Sequence, residues 1–371
     1  MFLASISVST PGYLYTAVAR LVRLSATLLL GLTFAAATSA QSPNLSSITV
    51  TRLLDRPIIA PGIDPSIGVN IQGPSVVQVP DWVEGRLGRY YLYFADHKGD
   101  YIRLAYADTI TGPWRIHAPG SLQIEESFFL TEPPEVPEAE LQQLQADRDA
   151  RGVRVAHDLM TELTSIHIAS PDVHVDEANR RFIMYYHGLA GPGRQHSRVA
   201  TSTDGIHFVA QPQNLGRTYL RAFPHEGMTY FIAMPGQLYR SANGLTDFET
   251  GPTLFEPNMR HSALLKRGDR LYVFWTRVGD VPESIMVSSI DLGGDWQQWK
   301  QAGEYVVLRP EREWEGANAP LEPSVRSTAY GLVNQLRDPA IYEEGDDIYL
   351  FYAVGGESGI AVARVDLGAG I

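Results

Sequence analysis

The sequence contains no cysteine. Disulfides, thiolate nucleophiles and cysteine-ligated metals therefore play no part in this protein. It also lacks a long hydrophobic run. The apolar segment 24–37 falls short of the ~20 residues a membrane-spanning helix needs, and no later segment does better. Positive charge is scarce: 30 Lys and Arg face 42 Asp and Glu, for a net charge of −12. That sign repels phosphate backbones and anionic lipid headgroups, which excludes nucleic acid and membrane surfaces as partners. Several catalytic signatures are missing as well. There is no His-Glu-x-x-His, no Gly-x-Ser-x-Gly, no phosphate loop and no dinucleotide fingerprint. His157, Asp158 and His167 match no zinc-ligand spacing, and the Asp-rich turns fit no EF-hand loop. No cofactor is expected.

The amino terminus reads as a leader. Arg20 and Arg23 precede the apolar run, and the small residues Thr38, Ser39 and Ala40 follow it. This is the pattern of a secretory signal. We expect residues 1–40 to be removed, leaving 41–371 as one secreted or periplasmic domain. Losing two Arg and no acid lowers its net charge by two further units.

What the sequence has in quantity is aromatic residues: 18 Tyr, 13 Phe and 6 Trp. They fall into a repeat. Five aromatic-rich strands occur at 90–94, 182–186, 230–232, 271–275 and 348–352. Each is followed by a second strand ending in an Asp or Asn turn, at Asp108, Asp204, Asn243, Asp291 and Asp366. Four of the turns lead to an aromatic residue that opens an outer strand: Trp114, Phe208, Phe248 and Trp296. A short apolar segment precedes each aromatic strand, at 74–79, 171–175, 220–223, 262–265 and 339–342. Four antiparallel strands repeated five times predict an all-β, five-bladed β-propeller. The fifth copy runs out after its third strand. The unpartnered strand at 47–53 is expected to supply the fourth and close the ring. Two stretches, 132–156 and 293–335, interrupt the repeat as insertions able to wall a pocket.

The motifs Arg337-Asp338-Pro339-Ala340-Ile341 and Ala169-Ser170-Pro171-Asp172-Val173 each precede an aromatic strand. With the turn Ser202-Thr203-Asp204-Gly205-Ile206-His207-Phe208, they resemble the five-bladed propeller glycoside hydrolases. That group includes family 43, the invertase-like enzymes and the anhydrogalactosidases. The resemblance implies an axial pocket with carboxylates at the starts of the innermost strands: a base in blade one, a pKa-setting acid in a middle blade and a proton donor in blade four. The sequence departs from this plan. Blade one offers Gly73-Pro74 where Asp-Pro is expected, and blade four offers Arg260-His261-Ser262 where Glu-Gly-Pro is expected.

The candidate catalytic residues are therefore Asp338, the carboxylate supported by the motif, with Asp172 and Glu283 as further acids. Asp96 follows the aromatic strand of blade one and is the replacement for its missing base. His261 has an ordinary pKa suited to proton donation, and its position is equally compatible with holding water or a structural cation at the axis. Gln72, His97, His187, Arg221, Trp275, Arg277, Arg337 and Glu357 are the candidate substrate-binding residues. The Arg residues suit an acidic, sulfated or anhydro sugar, because guanidinium pairs with carboxylate in a bidentate fork. The expected function is a glycoside hydrolase acting on an oligo- or polysaccharide. Two alternatives remain: a non-catalytic carbohydrate-binding propeller, favoured by Gly73, and a polysaccharide lyase, in which His261 or a Tyr removes a proton beside a uronate carboxylate.

Overall fold

The computed structural model describes residues 44–152 and 155–368. The expected leader, residues 1–40, lies outside them. Twenty strands form five four-stranded antiparallel sheets, the blades of a propeller. Blades one to four each use consecutive strands, with inner strands Gln72–Gln78, Ile168–Asp176, Arg221–His225 and Met259–Arg267. Blade five has its inner strand at Arg337–Glu344 and two more at Asp347–Ala353 and Ile360–Asp366. Its outer strand is Thr49–Arg52 from the other end of the chain, with Thr49 opposite Asp366 and Arg52 opposite Ala363. The ring closes as expected.

The aromatic strands are continuous apolar runs because both of their faces are buried. Successive side chains of a strand point to opposite faces. Tyr91 and Tyr93 pack with Phe182, Met184 and Tyr186 of blade two, while Tyr90, Leu92 and Phe94 pack with Phe351 and Val362 of blade five. Similar clusters fill the gaps between blades two and three, three and four, and four and five. Each gap buries many large side chains at ~25 cal/mol per Å² of apolar surface, so the ring is held by inter-blade burial.

The Asp and Asn turns work as their chemistry dictates. Asp204 Oδ1 accepts from the Ile206 and His207 N–H groups, and Asn243 Oδ1 from those of Leu245 and Thr246. Asp291 and Asp366 repeat this with Gly293 and Gly368. These local bonds turn the chain toward the buried Phe208 and Trp296, while Asp108, before the buried Trp114, accepts instead from the Arg89 N–H.

The first insertion carries the helix Glu138–Ala150, and a second helix, Leu159–Thr164, follows it before the inner strand of blade two. The second contains the outer strand of blade four, Gln301–Leu308, before its irregular part begins. The two insertions meet where Val155 bridges Arg326 and the Ala156 N–H donates to the Arg326 carbonyl at 3.2 Å. Among the described residues, no helix is long and apolar enough to cross a membrane.

Candidate functional site

All five inner strands start at one end of the axis, and the backbone repeats one conformation there. Gly73 (φ 65°), Ser170 (52°), Tyr219 (60°), His261 (46°) and Asp338 (44°) are all left-handed. Non-glycine residues seldom adopt this conformation, and four of them occupy equivalent positions here. In blades one, two, four and five the strand register slips at this point. Such a bulge takes a side chain out of the normal in–out alternation and re-aims it. Neighbours among the five lie close. A Cβ on Gly73 would stand 3.1 Å from Ser170 Cα. The Tyr219 ring lies 5.0 Å from the His261 ring. His261 Nδ1 is 3.5 Å from Asp338 Oδ1.

This register corrects the expected ring. Asp172 and Arg221 sit two residues beyond the ring positions, which belong to Ser170 and Tyr219. Asp172 accepts from His174 Nε2 at 2.7 Å and from the Ala222 N–H at 2.9 Å, tying blade two to blade three. Arg221 is buried and donates to the carbonyls of Ser170, Pro171, Leu220 and Ser262. Both are braces of the hub, tied to neighbouring blades through Asp172 Oδ2 and Arg221 Nε and Nη1.

Asp338 is 1% exposed, and neither carboxyl oxygen has a hydrogen-bond partner among the described residues. Burial, reinforced by the Glu357 charge, raises its pKa to about 7. His261 moves the other way. Burial, then the charges of Arg260 and Arg337, push its imidazole well below the ordinary range. It is neutral near pH 7, and its Nδ1 accepts from the Asp338 backbone N–H at 3.4 Å. The expected proton donor in blade four is thus a neutral imidazole rather than an imidazolium, and the group of the pair that titrates upward is Asp338.

Two ion pairs surround the ring. Glu283 binds Arg260 through Nε–Oε1 at 2.9 Å, and Arg337 Nε lies 3.7 Å from its other oxygen. Burial works to raise the Glu283 pKa, but the Arg260 and Arg337 charges hold it low. It is a counter-ion, not the free acid expected. Glu357 accepts from Arg337 Nη1 at 2.7 Å and Asn70 Nδ2 at 2.7 Å, with His97 Nδ1 at 3.1 Å. Against burial, His97 and Arg337 lower its pKa to about 2. Arg337 spends its other donors on Gln335 Oε1 and the Ser327 carbonyl. The fork expected to grip an acidic sugar is occupied from within.

The other expected residues divide. His97, Asp96, His187 and Glu357 lie at the ring's end of the axis, because the second strands finish where the inner strands begin. Asp96 accepts from the Lys98 N–H at 2.9 Å, faces Arg103 at 3.4 Å, and stays partly exposed. Gln72 is buried, and its Oε1 accepts from Ser170 Oγ at 3.4 Å. The His187 ring lies 4.5 Å from that of Tyr219. Burial, together with the neighbouring His167, keeps His187 neutral. Trp275 and Arg277 end the second strand of blade four at this same end, opposite Ser262 and Met259, but both are engaged away from the ring. Trp275 is wholly buried between blades three and four, donating to Ser288 Oγ at 3.0 Å. Arg277 is paired with Glu256 and Glu304. Among the described residues no group of three or more His, Asp or Glu is arranged to hold a metal ion.

Sequence reasoning missed Ser170, Tyr219, Arg260 and Gln335. A signal existed for the first. Pro74, Pro171 and Pro339 each follow a ring residue, so aligning on proline picks out Ser170 rather than Asp172. Nothing in the sequence marks Tyr219.

No family model matches the chain. An uncharacterized protein of Acanthamoeba polyphaga mimivirus is 36% identical over 326 residues, spanning 80% of this chain and 84% of that protein. One solved structure comes from the GH130 family of mannoside phosphorylases, which contains glycoside hydrolases that target β-1,2 mannosidic linkages in Candida mannan. It aligns with a TM-score of 0.53 at 12% identity, over 87% of this chain and 95% of that one. An endo-1,4-β-xylanase from Bacteroides thetaiotaomicron aligns with a TM-score of 0.49 at 13% identity, over 79% and 89%. The likeness to the GH130 structure is one of fold, the propeller fold that the sequence motifs resemble.

Proposed function

This chain belongs to the same family as the mimivirus protein, and we propose that it is a glycoside hydrolase with Asp338 as its proton-donating acid. The observation that carries the reading is the state of that carboxyl: buried at the axial ring, unpartnered among the described residues and with a pKa of about 7. A glycosidase acid must hold its proton near neutral pH and release it to the leaving oxygen. Glu357, lowered to about 2, remains ionised beside it. Two carboxyls with pKa values driven apart are the usual sign of divided roles. Asp96, partly exposed at the same end, is the candidate base that would activate water.

A screen of the purified protein on neutral and acidic glycans, following reducing ends and unsaturated-uronate absorbance together, tests the reading. Release of reducing ends without the absorbance, abolished in Asp338→Asn, is expected. Absorbance rising with cleavage would instead identify a lyase, against which stands the occupation of Arg337 by Glu357 and Gln335. A binding module is the second reading. It is favoured by Gly73 in place of a base, and binding without turnover on every glycan would establish it.

A further inference from the structure

The two insertions enclose a cavity of about 480 Å³ over the blade-five side of the axial end, with Arg337 and Gln335 among its lining residues. Its size falls in the range of small-ligand sites. Three lining side chains carry polar atoms that are buried and have no partner among the described residues: Asn334 Oδ1, Thr328 Oγ1 and His157 Nε2. Asn334 and Thr328 are 6% and 2% exposed. Native proteins rarely leave such atoms unpaired, because each costs ~1–3 kcal/mol. Tyr330, 53% exposed, stands at the same cavity with its ring 5.9 Å from that of His157.

The orientation of Asn334 fixes the chemistry of the missing partner. Its Nδ2 donates to the Ala317 and Ala319 carbonyls at 3.1 and 3.3 Å, so the unpaired atom is the carbonyl oxygen, an acceptor. It requires a donor, which a carboxylate or sulfate lacks and a hydroxyl has. Charge points the same way. Arg337 is neutralised by Glu357, and the other charged lining residue is Glu322, which repels anions. Tyr330 offers a ring face of the kind sugars stack on.

We propose that this cavity binds a neutral, hydroxyl-rich sugar unit of the substrate, donating to Asn334 Oδ1, exchanging a hydrogen bond with Thr328 and lying against Tyr330. This rests on the hydrolase reading for its substrate, but is separable from it by experiment. It replaces the acidic or sulfated sugar expected from the Arg residues.

The test is calorimetric titration of the full protein with xylotriose, β-1,2-mannotriose and trigalacturonate. At least one neutral trisaccharide is expected to bind, and trigalacturonate is not. Thr328→Val removes a hydroxyl that serves no protein partner. It should therefore leave the melting temperature unchanged or raised while weakening binding about tenfold, the worth of one hydrogen bond to a ligand. Tyr330→Ala should weaken it comparably. Failure of both neutral sugars to bind, preferential binding of trigalacturonate, or full affinity in Thr328→Val and Tyr330→Ala would overturn the proposal. Binding that these variants weaken, in a protein that cleaves nothing, would uphold the cavity and refute the hydrolase. Cleavage indifferent to both substitutions would do the reverse.

Discussion

Asp338 is held in two uncomfortable ways at once, by a left-handed backbone and by a carboxyl without partners. Its pKa of about 7 lies above the ~4 of an unfolded Asp. The folded state therefore binds this proton more tightly than the unfolded chain does. That stabilisation is complete below pH ~4 and is lost as pH rises through about 7. Asp338→Asn removes the charge while keeping the shape. It should melt several degrees above the wild type at pH 8, with the gap narrowing by pH 5, while kcat falls by ~10²–10⁴. A gap of equal size at both pH values would refute the raised pKa. Gly73 shows why blade one carries no carboxylate. With φ at 65° and the Ser170 main chain 3.1 Å from any Cβ, a side chain there must push a neighbouring blade. Gly73→Ala should lower stability by ~1–2 kcal/mol in urea unfolding. At this scale the sequence was only partly legible. Asp338 and its neighbour Arg337 stood in a motif. The left-handed turns and bulges, which decide whether Ser170 or Asp172 faces the ring, leave no periodic trace.

Among the elements, the closing strand carries the most consequence for stability. Arg52, at its end, pairs with Glu315 through Nε–Oε1 at 2.7 Å and Nη2–Oε2 at 2.8 Å. Glu315 is fully buried, accepts from Tyr352 Oη at 3.0 Å and receives the Glu311 and Arg312 N–H groups. One carboxylate thus joins the first strand, the last blade and the start of the irregular part of the second insertion. Glu315→Ala leaves Arg52 only Glu311 and the Arg309 carbonyl and should cost ~3–5 kcal/mol, the usual penalty for breaking a buried pair. Deleting Thr49–Arg52 should cost at least as much, since it also exposes an edge strand. An unchanged denaturation midpoint in either variant would contradict the role given to closure. The strands themselves were easy to read, because burial on both faces writes long aromatic runs. The joining of Val155 to Arg326 was not, because irregular segments carry no such pattern and meet only through tertiary placement.

For the molecule as a whole, the ring's end of the axis is nearly charge-neutral although the chain carries −12. Arg260 and Arg337 offset Glu283 and Glu357, and Asp338 is near half-protonated at neutral pH. Affinity for a neutral sugar should accordingly change less than twofold between low and moderate salt, since no counterion is exchanged. A steep salt dependence would mean that an ionic contact governs recognition. Ring closure also bears on how the protein is made. Ser47 Oγ donates to the Leu367 carbonyl across 320 positions of sequence. While the ribosome is still building blades one to four, the Thr49–Arg52 strand has nothing to pair with. The first strand synthesised is among the last to be seated, and until then the nascent chain presents an open sheet edge to whatever chaperone or protease meets it.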